Sequence, residues 1–388
     1  MKQMKLIVAA LTAAVALPAP ALADNANFTF YGTADVSYDS ITTGDGTASA
    51  NTGVAVTGVN KRVVSSNVSK FGFKGSEDLG DGLSAIWQVE QQIDLDAAAK
   101  NTFASRNTFA GLKSETMGTV LFGIHDTPYK IATRKLDVFG DSIADNRALL
   151  GAPKSSAAVA VTATAGNPAT AAASSQGFEL RPNNVLAYIS PAFSGVSAAV
   201  ATVNLTEQNY NSTHLNNSAL SLAVMYDVAP FYGTVAQETH TLGGLVTDAK
   251  ETATRLGFGF KPEGFELNVV YEKTSDDLGT AGENKYGHTA YYVAGKMNIG
   301  NNAIKAAYGK AGVLGSGVEE IRNSDANQIS IGYDHGLSKR TKVYALYSKI
   351  SNGKGINYSF SQSTANGSSN SGFGTSPSVI SLGVKHSF

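Results

Sequence analysis

From residue 27 to the carboxyl end, apolar and polar side chains alternate with period two in one short segment after another. Phe28, Phe30, Ala34, Val36 and Tyr38 fall on one side of the first segment, Thr29, Thr33, Asp35 and Ser37 on the other. Phe265, Leu267, Val269 and Tyr271 oppose Glu266, Asn268 and Glu272 in the same way, and Ile380, Leu382, Val384, His386 and Phe388 oppose Ser381, Gly383, Lys385 and Ser387. A two-residue period is that of a strand with one oily and one wet face. No apolar run in this region reaches the roughly 20 residues of a membrane-crossing helix. The pattern predicts sixteen strands: 27–38, 67–75, 83–96, 105–113, 119–125, 181–190, 196–206, 217–227, 231–240, 251–260, 265–273, 287–297, 303–310, 326–335, 341–350 and 378–388. Connectors between them alternate in length. Tight ones around 76–82, 114–118, 191–195, 228–230, 261–264, 298–302 and 336–340 take turns with mostly longer ones, 39–66, 97–104, 126–180, 207–216, 241–250, 274–286, 311–325 and 351–377. Antiparallel strands so joined carry every long loop at one end and every short turn at the other.

A secreted β-sandwich or β-helix is the rival architecture. A sandwich buries its apolar faces in a dry core and charges its outer faces. Here the polar faces mix Gly, Ser, Thr and Asn with sparse charge, and aromatics sit on the oily face near strand ends. Charged residues make up 16% of the chain, against roughly 25% in soluble domains, so something other than charge covers the surface. These features fit an all-β fold, a 16-stranded antiparallel transmembrane β-barrel with short turns at one rim and long loops at the other, whose oily face meets lipid. Closure pairs the edge amides that lipid cannot solvate. Sixteen strands enclose more space than side chains fill, which implies an aqueous channel.

Residues 1–23 read as a separate unit: Lys2 and Lys5, an apolar stretch from Leu6 to Leu17, then Ala21-Leu22-Ala23. This is the pattern of a cleaved signal peptide, an uncleaved anchor being disfavoured by its short apolar stretch. Residues 24–388 form one barrel domain. The 30 basic and 31 acidic residues balance, which gives no field for gripping nucleic acid. With no cysteine there is no disulfide frame, thiolate metal site or Cys nucleophile.

Four motifs in order carry a resemblance: Phe28-Thr29-Phe30-Tyr31-Gly32; Ser69-Lys70-Phe71-Gly72-Phe73-Lys74-Gly75-Ser76-Glu77-Asp78-Leu79-Gly80 with Phe109-Ala110-Gly111-Leu112-Lys113; Arg181-Pro182-Asn183-Asn184 leading to Tyr188-Ile189-Ser190-Pro191-Ala192-Phe193-Ser194-Gly195; and Gly383-Val384-Lys385-His386-Ser387-Phe388. Across nearly the whole mature chain the sequence resembles the general trimeric porins of the Gram-negative outer membrane, closest to the β-proteobacterial type. The resemblance implies a homotrimer of barrels in the cell outer membrane, in contact with membrane lipid and lipopolysaccharide, with short periplasmic turns and long extracellular loops. Each barrel is then a passive diffusion channel for small hydrophilic solutes and ions, narrowed by an inward-folded third loop (126–180). Phe388 resembles the signal read by the outer-membrane barrel assembly machinery, its other reading being a girdle aromatic.

Selection in such a channel rests on fixed charge at its narrowest point. By parity, if Phe71 and Phe73 face lipid, Lys70 and Lys74 face water; if Phe109 faces lipid, Arg106 points inward; Asp35, Glu90, Asp94, Arg255, Glu266 and Glu272 line the interior by the same count. The family sets basic groups on the wall against acids on the inserted loop. Lys70, Lys74 and Arg106 are the wall candidates. Arg134, Lys135, Asp137, Asp141, Asp145 and Arg147 are the constriction-loop candidates, with Lys130 on the approach. Lys70 stands where the family usually has Arg, and Ile124 where another Arg is usual, so the basic wall is expected to be one charge weaker. Weak anion preference is the expectation. Mutual neutralisation of the charges is the alternative.

Residues 155–176 are nearly all Ala, Ser, Thr, Val and Gly and read as an extension of the loop, a short partner-contacting strand being the other reading. The six histidines form no metal-ligand spacing, and no nucleophile elbow, phosphate loop or dinucleotide fingerprint is present. The chain therefore shows no catalytic residue, metal or cofactor site. Asp276-Asp277 and Glu319-Glu320 are read as solvated, loop calcium being the alternative. The runner-up function is a substrate-specific channel or an adhesin-type barrel.

Overall fold

The computed structural model describes residues 27–49, 52–96, 103–151, 177–204, 218–242, 249–279, 282–360 and 372–388. The expected signal peptide and the 155–176 stretch lie outside the described residues. The barrel strands are β1 (Asn27–Thr42), β2 (Asn60–Ser66 continued by Lys70–Gly80), β3 (Leu83–Gln92), β4 (Thr108–Ser114), β5 (Gly118–Ile124), β6 (Val185–Ile189), β7 (Val196–Asn204), β8 (Ser218–Val228), β9 (Phe231–Leu242), β10 (Ala249–Phe260), β11 (Phe265–Asp276), β12 (Thr289–Ile299), β13 (Asn302–Ala311), β14 (Ala326–Gly336), β15 (Thr341–Asn352) and β16 (Ser378–Ser387). Each pairs antiparallel with the next, and β16 returns to β1, which closes the sheet. All sixteen expected strands are present.

The two segments of β2 count as one strand because both pair with β1, Ser66 opposite Val36 and Lys70 opposite Thr33. Between them the chain bulges through Val68, whose φ is 53°. Side chains repair the interrupted ladder. Ser69 Oγ accepts from the Asp35 amide at 2.9 Å and donates to its carbonyl at 3.0 Å. The first long connector is shorter than expected, since 60–66 belong to the wall. It also carries a small hairpin, Gly46–Ser49 with Thr52–Val56.

Burial is inverted relative to a soluble fold. On β14, Ile329 and Ile331 point outward and are 53% and 55% exposed, while Gln328 and Ser330 point inward and are buried. On β8, Leu220, Leu222 and Val224 face out, and Ala219, Ser221 and Ala223 face in. Large apolar side chains left outside around an entire closed cylinder belong in hydrocarbon. This excludes the sandwich. The apolar cluster that does exist lies inside the cylinder. Leu136, Phe139, Ile143 and Leu149 of the third long loop pack there with Ile356, Tyr358 and Phe360 of the last one against the inner wall.

The seam between β16 and β1 is sealed at the short-turn end. Gly32 and Phe388 exchange backbone hydrogen bonds at 2.9 and 3.1 Å. The Phe388 ring joins an outer aromatic girdle with Phe30, which in turn packs on Phe71 and Phe73. Gly32 is required beneath that ring. A Cβ there would lie 2.3 Å from Phe388 and 2.9 Å from the Lys70 carbonyl. We expect Gly32→Val to lower the midpoint of urea unfolding in detergent by the equivalent of about 1–3 kcal/mol, the usual cost of overpacking. An unchanged midpoint would contradict this account of the seam.

Candidate functional site

The third long loop enters the lumen as a short helix, α1 (Pro128–Arg134), opened by Thr127, whose hydroxyl accepts from the Lys130 amide, with Pro128 suited to the first turn. The inner wall is built to receive it. A Cβ at Gly257 or Gly259 on β10 would stand 2.6 and 2.9 Å from Leu136, and one at Gly332 on β14 would stand 2.8 Å from Phe139. The wall glycines thus leave the recesses into which the loop's apolar side chains fit.

A polar latch fixes the helix. Arg255 on β10 donates to Glu272 on β11 (Nε to Oε2, 2.8 Å), to Thr133 of α1 (2.9 Å) and to Glu179 at the loop's return (2.6 Å). Its guanidinium also lies over the Tyr129 ring, 4.4 Å from the centroid. The Tyr129 hydroxyl donates to Glu272 at 2.7 Å, the Gly151 amide donates to the other Glu272 oxygen at 2.8 Å, and the Tyr129 amide donates to Ser221 on β8. Arg255, Glu272 and Tyr129 are all buried.

The loop tip is folded by its own charges. Asp137 is turned under the loop, accepting from the Tyr292 hydroxyl (2.6 Å) and from the Phe139 and Asn146 amides (2.8 and 2.9 Å). Asp145, with no exposed side-chain surface, caps the turn at Asn146–Ala148 and pairs with Arg147 (2.6 Å) and Arg134 (3.3 Å). Arg134 also pairs with Asp141, whose φ is 65°. Burial opposes ionisation of both Asp141 and Asp145, but the arginines hold both carboxyls below their ordinary range, and Lys70 adds to the effect on Asp141. For Asp137, burial and then the neighbouring Asp145 raise the carboxyl to about 6. Of the three acids expected at the constriction, only Asp141 faces the opposite wall. Asp137 and Asp145 are spent on loop amides and arginines. Lys135 departs as well: it reaches past the loop to Asp227, over the Tyr232 ring.

Across the gap stands the wall of β1 to β5. Lys70 is 3.9 Å from Glu90, and Arg106 Nε holds the other Glu90 oxygen at 2.6 Å. Tyr31 donates to Glu90 at 2.9 Å, and Lys74 lies 5.5 Å from the Tyr31 ring centroid. Lys70 and Asp141, with side-chain exposures of 26% and 28%, are open to water and feel each other's charge, and Arg134 and Lys74 are open to water as well. Arg106 points inward as expected, but not for the expected reason. Phe109 also faces inward, packed on Leu121 and Val185 and 5.2 Å from the His125 ring, while Ala110 and Leu112 face lipid. A local break lets the Arg106 amide bond the Glu90 carbonyl, which resets the side-chain direction.

Sequence reasoning missed Arg181. It pairs with Asp126 at 3.1 Å, beside the Lys130–Asp126 pair at 2.8 Å, where the two feet of the loop meet. A basic group therefore stands near the position at which Ile124 suggested a missing one. Burial opposes the charge on Asp126, but Lys130 and Arg181 hold its carboxyl well below the usual range. The available signal was the Arg181-Pro182-Asn183-Asn184 motif, whose charged member had no assigned task. The seven basic groups Lys70, Lys74, Arg106, Lys130, Arg134, Arg147 and Arg181 outnumber by one the acids Glu90, Asp126, Asp137, Asp141, Asp145 and Glu179 around the gap.

A closed lipid-facing barrel, a loop folded into its lumen and opposed charges across the remaining gap define a β-barrel diffusion channel. The Gram-negative porin family model matches residues 10–355, and the chain belongs to that family. Among its relatives, the major outer membrane protein P.IB of Neisseria meningitidis serogroup B is 27% identical over 370 residues, covering 91% of this chain and 95% of that protein. Among solved structures, the anion-selective porin from Comamonas acidovorans superposes with a TM-score of 0.70 at 20% identity, covering 94% of this chain and all of that one. OmpT of Vibrio cholerae in its trimer form gives 0.62 at 15% identity, covering 94% and 100%. The protein is a passive diffusion channel of the outer membrane, and its family consists of channels rather than enzymes.

Proposed function

We propose that this porin is an anion-preferring channel for small hydrophilic solutes, working as a homotrimer after removal of residues 1–23. The observation that carries the preference is the surplus of basic groups around the gap between Asp141 and Lys70. Fixed charges act over about 8 Å at physiological salt, enough to span a narrow eyelet. A passing anion meets the open Lys70 and Lys74 on the wall and Arg134 on the loop, while Arg106 and Arg147 stand behind them, each offsetting a buried carboxylate. The anion-selective relative and the trimeric neighbour support the same reading. Phe388 serves as the assembly signal in this scheme, and lipid and lipopolysaccharide surround the outer face. Of the inward tyrosines, 129, 232, 292 and 344 are buried and Tyr31 is partly exposed, which falls short of the row of open rings that a sugar-specific channel needs. In a potassium chloride gradient across a planar bilayer, the zero-current potential should lie on the chloride side; a potential on the potassium side would reject the preference.

Asp137 adds a pH dependence. Its carboxyl lies above the unfolded-state value, so the folded protein binds the extra proton between about pH 4 and 6. The loop is then more stable in acid and loses that contribution as pH rises through about 6. Protonation also removes a negative charge from beneath the eyelet. Chloride preference should rise between pH 7 and 5, and Asp137→Asn should flatten that rise; an equal rise in the variant would contradict it.

A further inference from the structure

The short-turn mouth of the barrel holds a second charged chamber, separate from the eyelet. A cavity of about 600 Å³ lies there against the turns at Gly300–Asn301 and Leu337–Arg340, lined by Lys296, Lys342, Lys385 and Asp334 among others. Its charge arrangement is unfavourable for a sheet on its own. Lys296 on β12 stands directly opposite Lys305 on β13, and Lys342 on β15 directly opposite Lys385 on β16. Like charges facing each other across neighbouring strands destabilise the pair. Two such pairs on one inner face need an anion to relieve them.

The protein supplies three carboxylates. Glu266 on β11 stands opposite Lys296 but pairs with Lys261 at 2.8 Å. Asp334 is shared between Lys305 (2.9 Å) and Lys342 (2.7 Å). Asp35 takes Lys385 at 3.3 Å while also accepting from the Tyr344 hydroxyl at 2.8 Å. Among the described residues, none of the ion pairs engages Lys296, and the turn adds Lys339 and Arg340 to the rim. Positive charge in a recess with low-dielectric walls concentrates anions.

We propose that this chamber is a binding site for small divalent oxyanions, phosphate or dicarboxylate, at the periplasmic mouth. A divalent anion in the cavity meets Lys296 together with Lys342 and Lys385, each of which has at most a shared carboxylate, where a single chloride offsets only one of them. Ammonium groups suit it as mobile point charges on flexible stems. The site needs the open lumen but not the eyelet's selectivity, so the two readings can fail independently.

The test uses refolded full-length protein in planar bilayers. The chain has no cysteine, so Glu320→Cys in a long loop, labelled with an impermeant thiol reagent, reports which way each channel inserts. Inorganic phosphate added at the short-turn side at millimolar concentration should reduce the chloride current saturably, succinate should do the same, and monovalent methanesulfonate should not. In Lys296→Gln/Lys342→Gln the half-blocking phosphate concentration should rise about tenfold, whereas Lys70→Ala should alter ion preference and leave the block in place. Absence of block, block of equal strength from both sides, equal block by methanesulfonate, or unchanged block in a double variant of normal unit conductance would overturn the site. A double variant that fails to insert is replaced by Lys296→Gln alone, for which the same shift in phosphate concentration is decisive.

Discussion

Arg255→Ala should loosen the constriction loop and lower stability by about 3–5 kcal/mol, the usual effect of removing one partner from a buried ion pair. Glu272 would be left buried without its ion-pair partner, Glu179 would lose its 2.6 Å contact, and Thr133 would lose its donor. The cost falls on the contact between α1 and the β10–β11 wall, because Arg255 is the group that touches the helix, the loop's return and both strands. The urea midpoint in detergent should fall accordingly. Single-channel traces should gain current fluctuations as the loop leaves its seat. Arg255→Met with Glu272→Met should recover part of the stability, since an uncompensated buried charge is worse than none. A steady trace and an unshifted midpoint in Arg255→Ala would show that the apolar contacts at Gly257, Gly259 and Gly332 hold the loop alone.

Lys70→Glu should invert the ion preference. A unit charge about 4 Å from a passing ion in a water-like medium is worth about 1 kcal/mol, and reversing it counts twice. Screening trims this, so a change of at least about fivefold in the chloride-to-potassium permeability ratio is expected in dilute salt, shrinking as salt rises. Lys70 is chosen because it is partly exposed and only loosely paired, at 3.9 Å from Glu90. Arg106→Ala should act in the same direction by another route: it frees Glu90, which Arg106 now neutralises at 2.6 Å, and it destabilises the wall as well. Equal permeability ratios in Lys70→Glu and the parent channel would place the narrowest point elsewhere.

The strands were legible because lipid enforces the period of two on one face, and turn residues mark the short ends. The signal fades where the wall rises beyond the hydrocarbon. Residues 60–66 read as loop because Val64 is the one apolar side chain on an outward face shared with Asn60, Arg62 and Ser66, yet they pair fully with β1. Phe109 misled for the opposite reason, since an aromatic on a short strand was assigned to lipid and instead fills an inner apolar patch. The basic wall could be read from parity at Lys70 and Lys74. The loop could not. Which of Asp137, Asp141 and Asp145 faces the gap depends on amides and arginines brought together by the fold, and the recesses that seat Leu136 and Phe139 lie on strands more than a hundred residues away in the chain. The paired glycines at 257 and 259 are a sequence trace of that seat, but nothing in the pattern separates them from ordinary strand glycines.

The central claim is a water-filled path between Lys70 and Asp141 inside a cylinder whose outer face meets lipid. Thiol accessibility tests it directly, because the parent chain has no cysteine to interfere. A charged, membrane-impermeant thiol reagent should step the single-channel current of Lys70→Cys downward. The same reagent should leave Leu222→Cys, on the outer face of β8, unchanged. A silent Lys70→Cys, or a current step of similar size in Leu222→Cys, would contradict the account.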